Sequence, residues 1–474
     1  MTAITPVRVG TLGLERFASI LSADRYELVR AAMVRSHRVL DGRVVWNVNS
    51  TARGGGVAEM LVSLLAYAHG AGVDTRWAVI TGTEPFFAVT KRIHNNLHSA
   101  PGDGGTLGHH ERTVYEEALA PNVDALLGLV RPEDVVIVHD PQPAGVIPAL
   151  KRVIGVPVIW RCHVGIDTPS DLARGAWDFL TPYVQHADAY VFSRRAFVWE
   201  GLDDRKLEVI PPTIDPFSPK NQPLDSATVR AILAVAGLDD SVDPAPPVFT
   251  REDGAIALVQ RRATITEGRP LRRQDRVVLQ VSRWDRLKDP VGVIVGFVEQ
   301  VAPSTDAHLV YAGPAVEAIV DDPEGVAVLE EVHRLHRGLS PALRDRVHLA
   351  CLPMDDAAEN AAMVNALQRR ADVVVQKSFA EGFGLTVAEA MWKGRPVVAS
   401  RIGGIQDQIV DGVSGVLLDD PLDLGAYGAA VGELLRDPER AALLGTGARE
   451  RACDEYLAVR SLLRYLDLIE RLVS

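Results

Sequence analysis

Cysteine is scarce in this chain. Cys162, Cys351 and Cys453 are widely spaced and odd in number, which excludes a disulfide framework or a zinc-finger pattern and fits a reducing cytoplasm. Long apolar runs are missing too: none reaches the ~18 residues of a membrane span. The opening stretch MTAITPVRVG lacks a charged segment followed by an apolar one, so no secretory leader is expected. Positive charge is in deficit, with 50 Lys and Arg against 62 Asp and Glu and a net charge of −12. Such a surface repels phosphate backbones and argues against nucleic acid as a partner. A polyanionic ligand has to be held by locally placed Arg, Lys and backbone N–H groups. The expectation is a cytoplasmic protein without membrane association.

What is present is ordinary globular composition: 474 residues, 47% hydrophobic, 24% charged, enough for two to three domains at roughly 100–200 residues each. Short β-branched runs alternate with helix-length amphipathic segments. The first series is Val44–Val48, Trp77–Ile80, Val135–Val138, Val156–Trp160 and Ala189–Phe192. The second is Val277–Val281, His308–Ala312, Val347–Leu352, Val373–Val375 and Pro396–Ala399. Continuous rather than alternating runs mark strands covered on both faces, and strand–helix alternation predicts parallel sheets. The fold class is therefore α/β, with two Rossmann-like domains: residues 1–215, and 216–447 with a final helix over about 448–474 packing back near the first. Prolines 211, 212, 216, 219 and 223 read as a linker or hinge between them. Residues 244–276 form a less regular excursion; its 251–276 part holds seven Arg against four carboxylates. Two readings stand, an anion-contacting lid and, the favoured one, a solvated excursion or oligomer contact.

Ligands of open parallel sheets bind outside the carboxyl ends of the strands, so the residues that follow each strand matter most. After Val48 comes a triple glycine, Gly54, Gly55 and Gly56, which lets backbone approach a ligand at a helix start or simply makes a tight turn. It matches neither a P-loop nor a dinucleotide fingerprint. After Val138 stands His139-Asp140-Pro141-Gln142, where Asp140 and Gln142 suit sugar hydroxyls or cap the next helix. After Trp160 come Arg161, Cys162, His163 and, further on, Asp167. After Val281, the run SRWDRLKDP sets Arg283 and Lys288 about one turn that ends on an Asp289 N-cap with Pro290 behind it. The two cations form a diphosphate clamp, or else surface charges paired with Asp285 and Asp289. After Val375 comes QKSFAEGFGLTVAEAM. Here Glu381 and Glu389 can accept hydroxyl bonds, and the Gly384, Leu385 and Thr386 amides open a helix.

EGFGLTVAE has the Glu-x7-Glu spacing of retaining GT-B glycosyltransferases, and SRWDRLKD resembles their Arg…Lys diphosphate clamp. More narrowly, VVWNVNSTARGGGVAEML, FFAVTKRIHN, HDPQP, WRCHVGID, FVWEGL, IPPTIDPFSPKNQ and QVSRWDRLKDP resemble the trehalose glycosyltransferring synthases of glycosyltransferase family 4. The resemblance spans about Val44 to Leu418. It implies the GT-B fold, two Rossmann-like domains with parallel sheets facing a central cleft. It also implies transfer of glucose from ADP-, UDP- or GDP-glucose to free glucose, giving trehalose with retention, reversibly. By motif, Arg283 and Lys288 hold the diphosphate, Glu381 the donor sugar, and Gly382, Phe383, Gly384, Leu385 and Thr386 supply backbone donors. Glu389 holds the ribose, Gly54–Gly56 close over the phosphates, and His163 faces the donor sugar. Asp140, Gln142, Arg161 and Asp167 are candidates for the acceptor side. Arg283, Lys288 and Glu381 carry the catalytic expectation. No cofactor or metal site is expected; Mg2+ is left as an optional stimulant, and a homodimer is left open. Rival readings are a retaining trehalose phosphorylase, a transferase with a sugar phosphate or aminocyclitol acceptor, and a catalytically silent sugar-nucleotide sensor.

Overall fold

Successive residues of a strand send their side chains to opposite sides of the sheet, so in a strand buried on both faces a continuous apolar run feeds two cores at once. The central strands of the computed structural model, which describes residues 4–52, 56–240, 245–316 and 323–474, are built this way. It divides into two units, Met1–Thr213 with Ala458–Ser474, and Ile214–Leu457.

In the first unit the strands are β1 (Ile4–Val7), β2 (Val45–Asn49), β3 (Thr75–Ile80), β4 (Val135–His139), β5 (Val158–Cys162), β6 (Ala189–Phe192) and β7 (Leu207–Val209). They form one sheet in the order β1-β3-β2-β4-β5-β6-β7, parallel except for β1 against β3. Trp46, Val48, Val136, Val138, Val158 and Trp160 pack into one core. Their neighbours Val45, Ile137, Ile159 and Val191 pack into the other, which includes Tyr465, Leu466 and Ile469 of the C-terminal helix. The five expected strands are present. Only the edges β1 and β7 escaped notice, because ITPV carries a proline that an edge tolerates and LEV is three residues long and half-buried.

The single helix expected over about 448–474 is two helices, Pro438–Glu455 and Ala458–Val473. Tyr456 and Leu457 are buried between them; the Tyr456 hydroxyl donates to the Asp407 carbonyl at 2.9 Å and its own carbonyl accepts from Ile214 N at 2.8 Å. Burying these two residues outweighs helix continuation. The second helix is amphipathic: its apolar face lies on the first unit's sheet, while Arg471 pairs with Glu208 and Asp467 with Arg35.

The second unit repeats the plan with β8 (Val248–Thr250), β9 (Ile256–Leu258), β10 (Thr264–Thr266), β11 (Val277–Val281), β12 (His308–Pro314), β13 (Val347–Leu352), β14 (Val373–Gln376), β15 (Val397–Ser400) and β16 (Val416–Leu418). The sheet order is β10-β13-β12-β11-β14-β15-β16, with β10 antiparallel to β13 and the rest parallel. Much of the basic excursion is open to solvent, as the favoured reading expects, but it is not irregular throughout. It makes the β8–β9 hairpin and the edge strand β10, and three of its arginines meet carboxylates of its own unit. Arg251 pairs with Asp356, Arg261 with Glu359, and Arg269 with Asp275 at 2.7 Å. A buried chain runs from Arg269 to His308 (2.8 Å), His348 (3.0 Å) and Glu267 (2.5 Å), pinning the excursion to the amino ends of β12 and β13. Most of the proline-rich stretch is likewise no free linker. From Ile214 onward it belongs to the second unit, where Asn365 donates to the Pro219 and Gln222 carbonyls at 3.0 Å and Trp392 Nε1 to the Asn221 carbonyl at 3.0 Å. Among the described residues no helix is long and apolar enough to cross a membrane.

Because Ile469 is only 4% exposed, Ile469→Ala is expected to destabilise the first unit by about 2–5 kcal/mol through lost burial and a residual cavity. The check is a lowered urea midpoint at unchanged native circular dichroism.

Candidate active site

Strand order shows where each sheet leaves room for a ligand. In the second unit the crossover sense reverses between β11 and β14, and in the first between β2 and β4. At such a reversal adjacent loops diverge and leave a crevice at the carboxyl ends. The two most specific motifs, SRWDRLKDP and QKSFAEGFG, are the loops that follow β11 and β14.

Those two loops are locked together by buried polar groups. Gln280, fully buried at the end of β11, donates from Nε2 to the Lys288 carbonyl at 2.8 Å and accepts the Lys377 amide at 3.2 Å. The Phe379 amide donates to the Leu287 carbonyl at 2.8 Å. Asp289 caps the helix at Pro290 as its sequence predicts, accepting from Gly292 N at 2.9 Å. It does so at φ +49°, a conformation costly for a residue with a Cβ. Its other carboxylate oxygen takes the ammonium of Lys377, which is 1% exposed. Burial pushes the Asp289 carboxyl up, against the pull of Lys377 and the Gly292 amide. The neighbouring Lys288 is thereby turned to Glu381, with Nζ 2.7 Å from Oε2.

Arg283 is not gathered into the same contact. It is 62% exposed and paired with Asp285 at 3.0 Å; of the two pairings weighed for surface charges, the one with Asp285 is present, while Asp289 belongs to Lys377 instead. Trp284 is buried against Tyr311 with ring centroids 5.1 Å apart, which holds this loop down between the two cations.

After β14, Gly384 sits at φ +87° as the N-cap of the helix Leu385–Trp392; a Cβ there would lie 2.9 Å from Ile405. The first amides of a helix lack intrahelical acceptors, so Leu385 and Thr386 bring N–H groups to the edge where Glu381 and Lys288 stand. Gly382 has open space around it, Phe383 is buried against Tyr456, and Thr386 Oγ1 donates to Gln376 at 3.1 Å. Glu389 is only 3% exposed, with Oε1 3.6 Å from Lys220 Nζ. Reading the sequence missed Lys220, hidden in the proline-rich SPKNQ, and also Lys377 and Gly403. A Cβ on Gly403 would lie 1.7 Å from the Glu381 carbonyl oxygen, so the Gly403-Gly404 pair is what lets the Glu381 loop settle.

In the first unit, Gly54 and Gly55 lie outside the described residues, and Gly56 opens the helix Gly56–Gly70. Asp140 follows β4 at φ +65° and accepts the His163 amide at 2.8 Å. Burial pushes its carboxyl up to about 6, opposed by that amide and by the charge of Arg161. His163 is half-buried and stacks on His139, with centroids 5.5 Å apart. Burial and Arg161 lower both imidazoles, His139 from 6.5 to about 3, so both are neutral at pH 7. Gln142 is half-buried in the loop after β4. Arg161 lies within β5, not after it; it is 1% exposed and donates to the Phe192 carbonyl at 3.2 Å. Asp167 pairs with Arg194. Among the described residues no group of three or more His, Cys, Asp or Glu side chains is placed to hold a metal ion.

Two family models match the chain: trehalose synthase, N-terminal domain, over residues 47–199, and glycosyl transferases group 1 over residues 358–451. The trehalose synthase of Rubrobacter xylanophilus is 36% identical over 95% of this chain and 97% of its own length. The chain belongs to the trehalose synthase family. The Pyrococcus horikoshii trehalose synthase is 33% identical over 98% and 97% of the two chains. A trehalose phosphorylase of Grifola frondosa is 26% identical over 90% of this chain but 57% of its own. Among solved structures, sucrose-phosphate synthase from Thermosynechococcus elongatus has a TM-score of 0.60 at 18% identity, covering 91% and 99% of the two chains. An E. coli trehalose-6-phosphate protein bound with UDP-2-fluoro glucose has a TM-score of 0.66 at 14% identity, covering 90% and 99%. The fold is GT-B, and this member of the trehalose synthase family is a trehalose-related glycosyltransferase.

Two outcomes test this geometry. Lys377→Met leaves the Asp289 carboxylate buried without its cation, and is expected to cost about 3–5 kcal/mol in denaturant unfolding. His139 titrates lower when folded than unfolded, so the unfolded chain takes up the proton first and stability is lost as pH falls from about 6.5 towards 3. His139→Gln is expected to flatten the dependence of the urea midpoint on pH between 6.5 and 4.

Proposed function

We propose that this protein is a retaining glucosyltransferase of glycosyltransferase family 4 that makes trehalose, reversibly, from a nucleoside-diphosphate glucose and free glucose. The observation that carries the reading is the Lys288–Glu381 pair beside the helix opened by Gly384, at the β11/β14 crevice. A diphosphate and a sugar ask for that combination: a cation and free amides for the phosphoryl oxygens, and a carboxylate for hydroxyl groups. Membership of the trehalose synthase family and the sugar nucleotide held by an E. coli structural relative support the substrate class.

In this reading Lys288 exchanges Glu381 for the diphosphate as substrate enters, and Glu381, released, accepts bonds from the donor sugar hydroxyls. Arg283, on an exposed side chain, leaves Asp285 to complete the clamp. Gly382 to Thr386 add backbone donors, and Glu389 with Lys220 serves the ribose end. His163 faces the donor sugar. Asp140, Gln142 and Asp167 serve the acceptor, while Arg161, held inside the sheet, sets the electrostatic level of that side.

A double-displacement route needs a carboxylate nucleophile, with the two carboxyl groups about 5–5.5 Å apart. In this reading Glu381 and Glu389 bind hydroxyl groups, which leaves no carboxylate assigned as nucleophile, and the resemblance to retaining GT-B glycosyltransferases favours a reaction on one sugar face. There the departing phosphate takes the acceptor proton while the clamp stabilises its charge.

The experiment is product analysis: ADP-, UDP- or GDP-glucose with glucose, and separately trehalose with inorganic phosphate. Nucleotide release with a non-reducing disaccharide is expected. Phosphorolysis alone would make the protein a phosphorylase, and nucleotide release with other acceptors only would change the acceptor. Arg283→Ala and Lys288→Ala are each expected to lower kcat on the order of a hundredfold in a folded protein. Near-normal turnover in both would overturn the clamp.

A further inference from the structure

A neutral histidine carries its proton on one ring nitrogen, and the partner of that nitrogen decides what the other one offers. In the first unit this choice follows, atom by atom, from a group that has no choice. The Val45 carbonyl oxygen only accepts, and Thr75 Oγ1, 3.2 Å away, donates to it. With its proton committed, the Thr75 oxygen receives Asn47 Nδ2 at 3.4 Å. That orients the Asn47 amide so that its oxygen meets His139 Nε2 at 3.1 Å. Nε2 is therefore the protonated nitrogen of His139, and Nδ1 holds the lone pair. His163 Nε2 lies 3.2 Å from that Nδ1 and has to be the donor. The proton of His163 is thus on Nε2, and its Nδ1 is bare.

A third proton in the pair is disfavoured. The rings are stacked within 15° of parallel, His139 is 2% exposed, and the charge of Arg161 bears on both imidazoles. The His163 amide is held by Asp140 at 2.8 Å, so ring and backbone are both placed from outside the residue.

We propose that His139 is a positioning residue for glucosyl transfer: through the Thr75–Asn47–His139 relay it holds His163 as the Nε2–H tautomer, so that His163 meets the donor sugar as a hydrogen-bond acceptor only. The inference rests on the reading above that His163 faces that sugar. It adds a specificity rule, because the hydroxyl against His163 must donate, and a group that only accepts is rejected there. A fluorine in place of that hydroxyl sets lone pair against lone pair.

Nitrogen-15 NMR of the histidine side chains in the full chain at pH 7 tests the relay without substrate. His163 is expected with hydrogen on Nε2 and none on Nδ1; a protonated Nδ1 overturns the proposal. In His139→Gln the amide can present either its oxygen or its nitrogen, so the tautomer preference of His163 relaxes. There kcat is expected to fall about tenfold, with KM for the nucleotide sugar changed less than twofold and the acid limb of the kcat profile shifted. An unchanged kcat with an unchanged pH profile overturns the positioning role. Donor sugars altered at C3, C4 or C6 test the rule: at one position both the deoxy and the fluoro analogue should lose tenfold or more in kcat/KM. A fluoro analogue that works where the deoxy one fails shows His163 donating and overturns it. If no nucleoside-diphosphate glucose is turned over with any acceptor, the proposed function is what fails, and the NMR result still decides the relay.

Discussion

Much of the second unit's site rests on one constraint: the loops after β11 and β14 must hold mutually fixed positions. Beyond a 3-10 turn over Arg286–Lys288, neither loop has regular structure to keep it there. Gln280 does so by serving both at once, donating to the Lys288 carbonyl and accepting the Lys377 amide. The Asp289–Lys377 pair then ties the cap of one following helix to the approach to the other. Side chains buried this deeply are costly to leave unpaired, so pulling the two loops apart is costly. Preorganisation of this kind is what electrostatic catalysis requires, because a clamp that must reorganise during reaction loses much of its effect.

The two units use similar means at matching places. Each sheet has its candidate residues at the reversal of strand order, and each places an aspartate at positive φ just there, Asp140 in one and Asp289 in the other. Strain of this type persists only where surrounding bonds over-determine it. Asp140 is held by the His163 amide and Asp289 by Gly292 and Lys377. The first unit adds a row of neutral hydrogen-bonding groups, the second a set of charged ones.

Most strands and the principal motifs were legible in the residue order. Runs such as VVIVH and VVLQV are apolar because they face two cores, and that demand is written locally. EGFGLTVAE could be read because its glycines, carboxylates and helix signal lie within nine neighbouring positions. Edge strands could not, since a three-residue strand half-open to solvent needs no distinctive composition. The ion pairs of the excursion over 251–276 could not be read from its excess arginine, because Asp356 and Glu359, which neutralise part of it, lie about a hundred residues further along.

By itself the sequence determined the α/β class, two parallel sheets, and the loops that carry the candidate site residues of this trehalose synthase relative, because helix and strand periods, glycine turns and caps act over a few residues. Tertiary structure alone decided that Lys288 meets Glu381, that Lys220 stands at Glu389, that Gly403 makes room for the Glu381 loop, and that His139 stands behind His163. Those contacts join positions brought together only when parallel strands align. Burial then makes each unpaired polar atom costly enough that a single partner is chosen.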